Sequence, residues 1–345
     1  MKQSSVMIYN RRFILASLMT IPLITACSKA HATDQSNWKL FCNRFLKEGR
    51  IVDSGNGGIS HSEGQGYGLL QAEAAHDRAN FDALWQWTKT HLMRSDMALF
   101  AWRYDGSQQN PISDLNNATD GDILIAWALL RAESRWPGKG YGAASAAIRQ
   151  AIGKKLVLSG GGETILLPGL QGFVGTDHVT LNFSYYIWPA LKAFDQVDNG
   201  MWRTVIESGK KLLSRARFGL PQLPTDWVDF KNDGSLAPAA DKQPYFGFDA
   251  IRIPLYLIWG GEDALAVPFA VYWNSYLTHN QPIPAWIDLN TQAIAPYPLS
   301  TGGMAIVHLM LNKPITSKIT EQDDYYSAAL LALAEIAHEE RPHLR

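Results

Sequence analysis

The stretch Ala118-Thr119-Asp120-Gly121-Asp122-Ile123-Leu124-Ile125-Ala126-Trp127-Ala128-Leu129-Leu130 decides the fold. Its first five residues are small or polar, and everything from Ile123 to Leu130 is apolar. At 3.6 residues per turn, such a run puts hydrophobic surface on every side of a helix. A helix of that kind must be covered on both faces, so it belongs between layers. Asp120 or Thr119 is the natural N-cap, satisfying first-turn N–H groups and the positive end of the helix dipole.

Outward from this helix, helical periodicity recurs at 37–47, 65–76, 79–93, 141–153, 183–195, 199–215, 249–260, 263–277, 300–311 and 323–340, and the anchor itself spans 120–136. Gly, Pro, Asn and Asp separate the segments, and strand-like alternation is scarce. With no linker and no low-complexity segment, the expectation is one all-α domain over 33–345, built in concentric layers. An α/α barrel pairs inner and outer helices in this way. Loops at 53–64, 102–121, 160–182, 219–248 and 281–300 are long and rich in Gly, Asp, Asn, Trp and Tyr. Long loops in a compact domain usually carry function, and on one rim of a barrel they would line a groove.

The composition agrees with a large buried core: the 345 residues are 46% hydrophobic and 18% charged. Lys plus Arg number 31 against 32 Asp plus Glu, a net charge of −1, so the basic footprint of a nucleic-acid binder is missing. Residues 1–32 hold four bases and no acid, with an apolar run from Phe13 to Ala26 broken by Pro22. That run is too short for a membrane span and reads as an export signal. Ala30-His31-Ala32 offers ordinary cleavage to a secreted or periplasmic protein. Ile24-Thr25-Ala26-Cys27 offers a lipidated Cys27, and Arg11-Arg12 loosely resembles a twin-arginine signal. Losing the segment takes 31 bases to 27 against 32 acids, a net charge of −5. Only Cys42 then remains, which excludes an internal disulfide; its apolar helical setting marks it as a small buried hydrophobe.

Phosphate cradles, the dinucleotide fingerprint, the nucleophile elbow and metal-ligand clusters are absent, so neither cofactor nor metal is expected. His338-Glu339-Glu340 reads as a solvated face. Three acidic motifs remain. In His61-Ser62-Glu63-Gly64-Gln65-Gly66-Tyr67-Gly68 a lone carboxyl sits among glycines that let a ligand approach. Partial burial would keep Glu63 protonated as a general acid; equally, Ser62 or Glu63 caps a helix. Asn116-Asn117-Ala118-Thr119-Asp120-Gly121-Asp122 has more polar groups than a cap needs. In Phe248-Asp249-Ala250-Ile251-Arg252, Asp249 and Arg252 share a helical face as an ion pair, and the Arg keeps Asp249 ionised as a base requires. Two carboxyls with divergent proton affinities, plus aromatic platforms, are what cleavage of a glycosidic bond needs. Trp102, Tyr104, Tyr185, Tyr186, Trp188, Trp227 and Tyr245 are the platform candidates.

At these residues the chain resembles glycoside hydrolase family 8. SEGQGYG (62–68), NNATDGDILIAWALLRAESRW (116–136) and FDAIRIP (248–254) look like that family's motifs. NGGISHSEGQGYG, LNFSYYIWPAL (181–191) and LPTDWVDF (223–230) bring it close to endoglucanases of bacterial cellulose-synthesis operons, of the acetic-acid-bacterial type. The resemblance implies an (α/α)6 barrel with a groove across one rim. It also implies inverting endo-hydrolysis of β-1,4-glucan, as in cellulose and carboxymethylcellulose. By motif, Glu63 matches the general acid, Asp249 the general base, and Asp120 the Asp that binds the sugar at the cleavage point. Tyr185 matches a Tyr that holds the water, and Arg252 a residue beside the base; Trp102 and Tyr245 are expected at the substrate. The implied partner is the glucan, together with the cellulose synthase machinery, and nothing indicates an oligomer. The same fold acting on xylan, mixed-linkage glucan or chitosan is the alternative. Others are a non-hydrolytic glucan-binding assembly factor and a lyase on a similar helical toroid.

Overall fold

A computed structural model describes residues 30–341, with side chains from Asn37 onward. Nearly all of the expected export signal, Cys27 included, lies outside the described residues. Eleven α-helices are described: α1 Ala30–Phe45, α2 Ser62–Ala74, α3 Arg78–His91, α4 Thr119–Arg135, α5 Tyr141–Lys155, α6 Trp188–Val197, α7 Arg203–Arg215, α8 Arg252–Trp259, α9 Asp263–Leu277, α10 Thr301–Met310 and α11 Tyr325–Glu340. Every segment predicted from periodicity overlaps one of them. Three, α6, α7 and α8, start three to five residues later than predicted. Before α6, residues Phe183–Tyr185 form a 3₁₀ turn and Pro189 sits in the first helical turn. Before α8, Asp249 lies in a turn, not on the helix. Strands among the described residues are short and occur only in two- and three-stranded hairpins and sheets.

The packing is layered and all-α. Contact runs from α2 to α4, α6, α8 and α11 and back to α2, with α10 against α8 and α11. Outside this circuit, α1 covers α11, α3 covers α2, α5 covers α4, α7 covers α6, and α9 covers α8 and α10. Covered on both faces, α4 buries everything from Thr119 to Leu129. Cys42 is partly buried as expected, and burial, then Asp77, pushes its thiol up to about 12.

Glycines bring α2 and α4 together. A Cβ on Gly121 would lie 2.7 Å from the backbone N of Glu63, and one on Gly66 would collide with Leu124 Cβ. The glycines around Glu63 therefore serve helix contact; they do not open the backbone to a ligand. The capping expectations also change. His61 caps α2, its Nδ1 accepting from the Gly64 N–H at 3.0 Å. Ala118 is the N-cap of α4 without a side-chain bond, and Thr119 donates instead to the Leu167 carbonyl at 2.7 Å.

The inner helices have a common sense. Glu63, Asp120, Arg252 and Tyr326, all in first turns, face one end of the circuit. The last turns meet at the other end. There Arg131 of α4 pairs with Glu73 of α2 at 2.5 Å and donates to Glu340 of α11 at 2.7 Å, while Trp259 of α8 donates to Glu340 at 3.0 Å. Glu340 is thus tied into this network while remaining exposed, as is Glu339, in keeping with the solvated face read from the sequence.

Candidate active site

Arg252 organises the site. Its guanidinium is buried, and it reaches three of the predicted carboxyls. Nη1 contacts Glu63 Oε1 and lies 3.3 Å from Asp120 Oδ2; Nη2 pairs with Asp249 Oδ1 at 2.5 Å. It also donates to Ser184 Oγ at 2.9 Å and Tyr67 Oη at 3.1 Å, and its Cζ stands 5.8 Å from the centre of the Tyr185 ring. Glu63, Asp120, Asp249, Tyr185, Arg252 and Trp102 line one cavity of about 420 Å³. It shares Asn56 and Asp249 with a second cavity of about 490 Å³, and that one shares Phe248, Asp324 and Tyr326 with a third of about 340 Å³. Together they form a trough over the first turns of the inner helices, where helix dipoles favour negative charge.

One guanidinium cannot neutralise three carboxyls, so proton affinity within the site is raised. Burial pushes Asp120 up to about 7. Burial, then the like charges of Asp226 and Asp120, raises Asp249 well above the usual carboxylate range. Contrary to expectation, the pairing with Arg252 does not give Asp249 a low proton affinity: desolvation and two neighbouring acids outweigh one ion pair. Tyr67 donates to Glu63 Oε1 at 2.8 Å, and burial holds its phenol, like that of Tyr185, well above its ordinary value. His61 accepts at Nδ1, so its proton sits on Nε2, 3.4 Å from Asp53 Oδ2.

Sequence reasoning missed Asp226 in LPTDWVDF. Its Oδ1 accepts backbone N–H groups from Gly247, Asp249 and Ala250 at 3.0, 3.1 and 2.7 Å. A polar pair before a Trp was the only local signal. Of the aromatic candidates, Trp102 is in the trough, its Nε1 held by Asp114 at 2.8 Å. Trp227 stacks on Phe173 at 5.7 Å and meets the Tyr185 ring edge-on. Tyr245 is not among the residues lining the trough, and stacks on Trp286 at 4.5 Å. Tyr186 and Trp188 are fully buried core residues. Phe248, 55% exposed, and Tyr297, 49% exposed, are aromatics along the trough that the sequence reading did not select.

The sequence model for glycosyl hydrolases family 8 matches residues 12–340. The chain belongs to glycosyl hydrolases family 8. It is 42% identical over 305 residues to an endoglucanase of Cellulomonas uda, covering 87% of this chain and 84% of that one. It is 40% identical over 310 residues to a probable endoglucanase of Novacetimonas hansenii, covering 88% and 90%. The solved endo-beta-1,4-glucanase of Acetobacter xylinum superposes with a TM-score of 0.84 at 39% identity, covering 90% of this chain and 99% of that one. The kinship with the acetic-acid-bacterial branch, read from short motifs, thus extends along the chain. This family 8 protein is a glycoside hydrolase.

The raised proton affinity of Asp120 has a testable consequence for stability. An acid whose pKa is higher folded than unfolded binds more protons when folded. Its contribution is full below the ordinary value of 3.8 and is lost as pH rises through about 7. Asp120→Asn should therefore gain stability relative to wild type as pH rises from 4 towards 8. Melting temperatures across that range check it; a difference that is flat or shrinks with pH contradicts the assignment.

Proposed function

We propose that this enzyme is an exported endo-β-1,4-glucanase that cuts internal bonds of cellulose with inversion, on an (α/α)6 barrel whose rim carries the trough. The carrying observation is the cluster of Glu63, Asp120 and Asp249 on one guanidinium at the floor of an aromatic-edged trough. The closed circuit of inner helices under an outer layer supports the barrel.

In this reading the glucan lies along the trough against Trp102, with Phe248 and Tyr297 further along. Glu63 gives its proton to the leaving oxygen. Asp249 takes a proton from the water that attacks the opposite face, while Tyr185 steadies that water. Asp120 bonds the distorted sugar as positive charge develops. The ground-state proton on Asp249 must leave first, so activity should fall on the acid side well above pH 4, the ordinary range for an Asp. An inverting pair needs about 6.5–9.5 Å between carboxyls so that water fits. The kinship with acetic-acid-bacterial relatives suggests work beside the cellulose synthase machinery, as a monomer. Among the described residues no helix is long and apolar enough to cross a membrane. Release or tethering then rests on cleavage after Ala32 or lipidation of Cys27.

The test follows carboxymethylcellulose and cellopentaose by NMR, reading the first product anomer. Fresh α-anomer is expected. Fresh β-anomer discards inversion while keeping the hydrolase, and no cleavage discards the β-glucanase reading.

A further inference from the structure

Asp249 stands in the turn before α8, outside any regular element, so something other than a helix must hold it in place. The turn is built around a foreign side chain. Asp226 Oδ1 alone accepts N–H groups from Gly247, Asp249 itself and Ala250. That gathering of N–H groups around one oxygen is the arrangement that elsewhere cradles an anion. The Asp226 N–H donates to the Tyr245 carbonyl at 2.7 Å, which ties both ends of the cradle together. A Cβ on Gly247 would lie 2.9 Å from Asp226 Oδ2, so glycine at 247 gives the carboxyl room. No cation pairs with Asp226 among the described residues.

We propose that Asp226 is the positioning residue for Asp249, fixing the turn that carries the base and facing it with a like charge that sets how readily it takes a proton. The proposal rests on reading Asp249 as the base. Other charged and titratable groups also face Asp249. Asp120 comes from α4, Arg252 from α8, Tyr326 from α11 and Tyr185 from the 3₁₀ turn, and Glu63 meets the same guanidinium from α2. Among these, Asp226 is the carboxylate bonded to the backbone of Asp249. Burial raises Asp226 itself to about 6, so its own charge comes and goes in the working range. As it ionises, it makes Asp249 hold its proton more tightly. The two ionisations then oppose each other, so the acid limb should be spread over a wider pH range than a single independent proton gives.

Asp226→Asn keeps an acceptor oxygen for the turn and removes the charge. The experiment titrates the Asp249 carboxyl by ¹³C NMR in wild type and Asp226→Asn, and records kcat/KM against pH on carboxymethylcellulose for both. The expected result is a drop of about one pH unit in the Asp249 midpoint and in the acid limb, as for removal of a neighbouring like charge. The limb should also sharpen from a broadened one to that of a single independent proton. Asp226→Ala, which removes the acceptor too, should lose at least about tenfold in kcat with KM within about twofold, the signature of a displaced base. Midpoint and limb unchanged in Asp226→Asn would overturn the proposal, since a purely structural carboxyl moves neither. Failure of the base reading looks different: Asp249→Asn would turn over normally, whatever the NMR midpoints do.

Discussion

Glu63→Gln should lower kcat at least about 100-fold while moving KM by less than about threefold. Gln has the shape of Glu and still accepts from the Tyr67 hydroxyl, which lies 2.8 Å from Oε1 in the native enzyme. What it lacks is a proton to give. Positioned acid catalysis is worth about 10²–10⁴-fold, and the lower bound is taken because the rest of the cluster survives. Binding along the trough depends on contacts that Gln leaves alone, so the loss belongs in kcat. Steady-state kinetics on cellopentaose, with circular dichroism to confirm folding, decide it. Normal turnover would remove Glu63 from the chemistry. A parallel rise in KM with kcat intact would make it a binding group.

Arg131→Met should destabilise the fold by about 3 kcal/mol and leave kcat within about twofold. Arg131 joins α2, α4 and α11 at the end of the circuit remote from the acids, pairing with Glu73, whose side chain is 3% exposed. Removing one partner of a buried pair costs about 3–5 kcal/mol because the other charge stays buried and unpaired. The lower figure applies because Arg135 also contacts Glu73. Met fills the space of the Arg stem, so packing loss adds little. Urea unfolding followed by Trp fluorescence measures it. A loss under about 1 kcal/mol would mean that water already solvates the network. A loss of activity with stability intact would mean that the two ends of the circuit are coupled.

Much of this protein was legible because its signals are local. The unbroken apolar run of α4 could only be a helix covered on both faces, and the structure buries it between α2, α5 and α6. Glu63, Asp120 and Asp249 stood out as carboxyls in aromatic and glycine-rich surroundings, and they do converge. The misreadings share one cause. Ser62 looks like a cap and Gly66 like room for ligand only if α4 is forgotten: Gly121 presses against Ser62 and Glu63, and Leu124 against Gly66.

The sequence by itself determined where helices form, that the fold is all-α and layered, and which family motifs carry the acids. These follow from hydrophobic periodicity and short-range chemistry, which need only neighbours in the chain. Tertiary structure alone decided that one arginine serves three carboxyls, that Asp226 cradles the turn of Asp249, and that the proton affinity of Asp249 is raised despite its arginine. Proton affinity depends on burial and on charges brought together from distant positions, such as Asp120 and Asp249. Coulomb energy and desolvation act through space, and no spacing along the chain records them.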